Sequence, residues 1–139
     1  MAALRKHAWD MAEEAEKDVE TLSVEAVHDL LGDEDVTLLD IRDVRERWIE
    51  GTIPGARHAP RGMLEFWADP ETEYYRDYFE PSRRYVLFCN EAGRSALAAK
   101  TLQKMGFEDV AHVAGGFTAW QAADYEVEEV EQRDYKSRD

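Results

Sequence analysis

The chain has 139 residues, 44% of them hydrophobic, one cysteine and a formal net charge of −14. That length fits one domain around one core and is too short for tandem domains, and a single cysteine excludes an internal disulfide and a multi-cysteine metal site; no cofactor and no metal is expected. With 31 Asp and Glu against 17 Lys and Arg, the surface repels phosphate, which argues against nucleic acid and anionic membrane as partners; no segment reads as a signal peptide or a membrane span, and a cytoplasmic protein is expected.

Leu4, Ala8, Met11, Ala15, Val19 and Leu22 recur at three- and four-residue intervals among charges, which predicts an amphipathic N-terminal helix in an extension over residues 1–21. Ser23 is placed to cap a short helix over 24–31 that Gly32 ends. Residues 36–41 are apolar enough to form a strand covered on both faces, as parallel strands are. A short helix is expected at 45–49, a short strand at 56–59 and a helical turn at 63–67. The aromatic segment between Asp69-Pro70 and Glu80-Pro81 reads as an irregular excursion.

Residues 85–88 form the central strand in this reading, 95–105 an Ala/Leu-rich helix with Ser95 as its N-cap, 110–113 another strand and 116–122 a last helix entered through Gly115 and Gly116. Strands alternating with helices imply an α/β domain: a central parallel sheet with helices on both faces. From Asp124 to the end, residues 124–139, acidic residues dominate and a frayed tail is expected.

Cys89 falls where the central strand stops and the next helix is about to begin. Unpaired N–H groups and the positive end of the helix dipole favour an anion there, and Arg94 adds a fixed positive charge. Asn90, Glu91, Ala92, Gly93 and Ser95 complete a polar, turn-forming loop, which makes Cys89 a candidate nucleophile rather than a buried apolar filler.

Three segments carry a resemblance. Leu39-Asp40-Ile41-Arg42-Asp43 with Glu50-Gly51-Thr52-Ile53-Pro54-Gly55-Ala56, the loop Cys89 to Ser95, and Ala114-Gly115-Gly116-Phe117-Thr118-Ala119-Trp120 resemble, in order and spacing, the signatures of a single-domain rhodanese. The resemblance runs over residues 22–123 and implies a rhodanese-like fold and a thiosulfate sulfurtransferase. In that reading a sulfane sulfur passes from thiosulfate or a related donor through a Cys89 persulfide to cyanide, a thiol or a protein acceptor. Cys89 and Arg94 take the catalytic places, and Asp40, Arg42 and Arg61 are candidates for supporting roles.

The loop departs from the family pattern in having Ala92 where many members have Gly, and Glu91 brings a carboxylate beside an anionic site. Thr52 stands where the family usually has His. Two alternatives stay open: a non-catalytic rhodanese-type binding or regulatory module, and a cysteine phosphatase or arsenate reductase. The latter is disfavoured because phosphatases place one more residue between Cys and Arg than the four found here, and commonly a His where this chain has Phe88.

Overall fold

The computed structural model describes residues 2–133. Helix α1 (Ala8–Glu16) leads to strand β1 (Glu20–Leu22), helix α2 (Val24–Asp29), β2 (Val36–Asp40), α3 (Val44–Glu50) and β3 (Arg57–His58). A 3-10 turn (Arg61–Met63) then runs into α4 (Leu64–Ala68), followed by β4 (Arg84–Phe88), α5 (Gly93–Met105), β5 (Asp109–Val113) and α6 (Gly116–Ala122). The strands form one parallel sheet in the order β1-β5-β4-β2-β3, which puts β4 at its centre. Among the described residues no helix is long and apolar enough to cross a membrane.

Successive side chains on a strand point to opposite faces, and the central strands carry buried apolar residues on both, so each face receives its own core. Leu39, Tyr85 and Leu87 pack with Leu64, Ala98, Ala99 and Leu102 on one side. Leu38, Val86 and Phe88 pack with Val24, Val27, Phe117 and Trp120 on the other. Helices α4 and α5 therefore cover one face and α2 and α6 the other.

Three expectations change. The N-terminal helix stops at Glu16, leaves Leu4 and Met11 exposed, and gives way to the edge strand β1. Val19 and Leu22, three apart, would share one face of a helix; here Val19 joins the core under α5 and Leu22 packs with the opposite one. Pairing of Glu20–Leu22 with β5 outweighs the helical spacing.

Helix α5 begins at Gly93, with Ala92 as its left-handed N-cap at φ 79°, so Ser95 lies inside the first turn and its hydroxyl donates back to the Ala92 carbonyl at 3.2 Å. The start of the tail is fastened to the domain: Trp120 Nε1 donates to Glu126 O at 2.8 Å, and Tyr125 stacks on His28 with ring centroids 4.2 Å apart. Thr52 and Glu128 form an antiparallel bridge with both N–H···O distances 2.9 Å. The remainder of the expected tail, residues 134–139, lies outside the described residues. By contrast, Ser23 caps α2 as its sequence implies, accepting the Ala26 N–H at 3.1 Å.

Candidate active site

Strand β4 delivers Cys89 to the carboxyl end of the sheet, where open α/β folds bind their ligands. The residue is 1% exposed, and its sulfur accepts the Ala92 N–H at 3.2 Å as the loop curls back over it. The left-handed Ala92 makes that curl; a non-glycine residue there is strained by about 1 kcal/mol or more. From the other side, α6 fixes the loop's carbonyls: Phe117 N donates to Cys89 O at 2.8 Å and Thr118 N to Asn90 O at 3.1 Å. Gly116 has φ 57°, and a Cβ on it would collide with both carbonyls, reaching 2.6 Å from that of Asn90.

Behind the loop lies a buried ion pair. Asp40 and Arg42 are both fully buried, and Arg42 donates to Asp40 through Nε at 2.9 Å and Nη2 at 2.8 Å. Arg47 Nε at 3.1 Å and the Thr52 hydroxyl at 2.8 Å also donate to Asp40. Burial opposes ionisation of Asp40, but the Arg42 hydrogen bonds and charge outweigh it and hold the carboxyl below its ordinary range. Arg42 extends this anchor to the loop: it donates to Gly51 O at 2.6 Å and to Asn90 Oδ1 at 3.1 Å, with its guanidinium 4.4 Å above the Phe117 ring.

Glu46, in the first turn of α3, ties the outer side of the loop. It accepts the Asn90 amide at 2.9 Å and both Arg94 terminal nitrogens at 2.9 Å each. This paired geometry lowers the Glu46 carboxyl and raises Arg94. The positive charge of Arg94 thus reaches the site already neutralised in part.

Above Cys89 opens a cavity of about 380 Å³ lined by Ala8, Trp9, Cys89, Asn90, Glu91, Gly93, Arg94 and Leu97. The Trp9 ring, brought by α1, presses on Gly93 so closely that a Cβ there would lie 2.8 Å from it.

Cys89, Asn90, Glu91, Gly93 and Arg94 therefore share one cavity, with Ala92 and Ser95 buried under it and Asp40 and Arg42 behind it. Asp40 pairs with Arg42 and Arg47, and Arg94 takes Glu46 instead. Arg61 is held by Glu65 at 2.8 Å and Thr101 at 3.5 Å and is not among the lining residues. Sequence reasoning passed over Trp9, Glu46 and His112. The last is fully buried in β5 with its Nδ1 3.1 Å from Ser95 Oγ, and a histidine inside an apolar strand was its signal.

A family model described as the rhodanese-like domain matches residues 23–123. The putative sulfur carrier protein YrkF of Bacillus subtilis is 31% identical over 118 residues, covering 84% of this chain; the chain spans only 58% of that protein's length. Thiosulfate sulfurtransferase GlpE of Pseudoalteromonas translucida is 33% identical over 102 residues, 73% of this chain and 89% of that protein. Among solved structures, a protein of unknown function from Rhodopseudomonas palustris, described as a possible tyrosine phosphatase, superposes with a TM-score of 0.87 at 42% identity, covering 92% of this chain and 98% of that one.

Proposed function

The chain belongs to the rhodanese-like domain family, and from that footing we propose that it is a sulfurtransferase carrying sulfur on Cys89. One observation carries the reading: Cys89 lines an open cavity, and its sulfur accepts the Ala92 N–H at the start of α5. In the first half-reaction the thiolate attacks the outer sulfur of a donor such as thiosulfate. A new S–S bond forms, the donor's S–S bond breaks, and sulfite leaves with the electron pair. In the second, a thiol or cyanide attacks the outer sulfur of the persulfide, and the Cys89 thiolate departs.

The persulfide is an anion, and the Ala92 N–H that holds the thiolate supports it as well. Asp40 and Arg42 act here as positioning residues, through Asn90 and Gly51. Arg94 stands at the mouth, where an anionic donor would pass. The short loop, with four residues from Asn90 to Gly93 between Cys89 and Arg94, favours a sulfane sulfur over the larger phosphate oxyanion, so we rank phosphatase chemistry below sulfur transfer. A binding module would have no need of a cysteine held in this way.

Intact-mass measurement after treatment with thiosulfate, and separately with polysulfide, tests the proposal. The expected result is one added sulfur that disappears on adding cyanide and that Cys89→Ser never acquires. An unmodified parent with both donors, or a Cys89→Ser variant that still turns over, refutes it.

A further inference from the structure

Helix α1 lies outside the residues that the family model matches, yet it reaches a buried polar chain that ends on the nucleophile. Ser95 Oγ, fully buried in α5, is 3.6 Å from Cys89 Sγ and 3.1 Å from His112 Nδ1. The other ring nitrogen, Nε2, is 3.3 Å from Glu16 Oε1 on α1 and 3.1 Å from the Thr21 hydroxyl on β1. Glu16 is 40% exposed, so the chain runs from a buried thiol to water.

The chain sustains one continuous direction of donation. With the ring carrying its proton on Nε2, that N–H has the Thr21 hydroxyl at 3.1 Å and the Glu16 carboxylate at 3.3 Å, the Ser95 hydroxyl turns from the Ala92 carbonyl to donate to Nδ1, and the Cys89 thiol donates to Ser95 Oγ. Reversing the hydroxyl lets Ser95 donate to sulfur instead, and Nδ1 then holds the proton that sulfur has lost.

We propose that Ser95, His112 and Glu16 form a proton-transfer chain that takes up the Cys89 thiol proton, making α1 part of the apparatus that readies the nucleophile. The inference rests on the sulfurtransferase reading. No bond other than those to the proton changes: the thiol S–H breaks, an imidazole N–H forms, and Glu16 stabilises the resulting imidazolium or passes its Nε2 proton to water. Burial keeps the ring neutral, against the opposing pull of Glu16, so it is available as an acceptor at neutral pH. Glu16 from α1 is the charged group facing the ring; Ser95 from α5 and Thr21 from β1 are its neutral partners, and Cys89 at the end of β4 is the titratable group beyond Ser95. Ser95 touches the reacting sulfur, whereas His112 and Glu16 are positioning residues that act through it.

The test is the pH dependence of Cys89 alkylation by iodoacetamide, a neutral reagent, followed by intact mass in the parent, Glu16→Gln, Ser95→Ala and His112→Gln. Glu16→Gln alters only a half-exposed carboxylate and decides the matter even if the buried substitutions fail to fold. Its rate should fall roughly three- to tenfold at pH 6.5 and match the parent at pH 10, where hydroxide removes the proton directly. Ser95→Ala should show a larger fall with the same convergence. Superimposable profiles for Glu16→Gln and the parent, or a deficit equal at every pH, overturn the proposal. The readout is independent of sulfur transfer. A parent that gains no sulfur but shows the profile shift defeats the functional reading alone, and persulfide formation with no shift defeats the chain alone.

Discussion

Replacing Asp40 with asparagine changes one buried oxygen to an amide and takes from the buried Arg42 its closest counter-ion, leaving only the half-exposed Glu50 carboxylate at 3.6 Å. In the parent, Asp40 receives the Arg42 backbone N–H at 3.1 Å, Arg42 Nε and Nη2 at 2.9 and 2.8 Å, Arg47 Nε at 3.1 Å and the Thr52 hydroxyl at 2.8 Å. Asparagine has one oxygen for these donors and turns two further donors toward them. Breaking a buried pair from one side costs about 3–5 kcal/mol, because the remaining charge has already lost its water. For a domain of this size that corresponds to a fall in melting temperature on the order of 10–20 °C. Urea denaturation followed by circular dichroism should show a lower midpoint at unchanged slope. Asp40→Leu combined with Arg42→Met removes both charges and should recover more than half of the loss, although the tie to Asn90 goes with them. A loss below about 1 kcal/mol for Asp40→Asn would refute the reasoning, since the pair would then not be the buried anchor of the loop.

Other consequences are equally measurable. Burial lowers both His58 and His112, the first against a hydrogen bond to Arg42 O and the second against the Glu16 charge, so both rings are neutral when folded. The unfolded chain binds those protons from about pH 6.5 downward, so stability should fall as pH drops through that value, and a flat melting temperature from pH 7 to 5.5 would contradict this. Gly116→Ala should destabilise by roughly 2 kcal/mol or more and slow Cys89 alkylation, because its Cβ displaces the carbonyls that α6 holds; a stability equal to the parent's would show that the loop yields freely. Glu91→Gln, at the exposed mouth of the cavity, should lower KM for dianionic thiosulfate more than for a less charged persulfide donor, with the difference shrinking as salt is added. Equal effects on both donors would remove Glu91 from donor selection.

What the sequence disclosed was local. A strand, a polar loop and a helix within about twenty residues mark Cys89 as a candidate, and the alternation of apolar runs with helical stretches marks the α/β class, because both depend on neighbours along the chain. The partners of those residues depend on the fold. Nothing near Arg94 announces Glu46, which arrives from a helix 48 positions earlier. Ser95 has the composition of an N-cap, but Ala92 takes that place because the loop must close over the sulfur, and the Ser95 hydroxyl then serves Cys89 and His112. The spacing of Val19 and Leu22 fits a helix, and only the availability of the β5 edge turns that segment into a strand. Charge density likewise suggested a loose end after Asp124, whereas Tyr125 and the Trp120 indole find packing and a hydrogen bond there.

The pairing of β1 with β5 also bears on how the protein is made. Thr21 and His112 meet across 91 positions of sequence, so β1 has no neighbour in the sheet until nearly the whole domain has been synthesised. The antiparallel bridge at Glu128, which covers the Gly51–Thr52 turn beside the Asp40 anchor, comes later still. Such non-local closure is slow and favours folding of the domain as a unit. A nascent chain halted before β5 holds β1 without its sheet edge, which makes the acidic segment that carries it a waiting element in biogenesis until the last strand arrives.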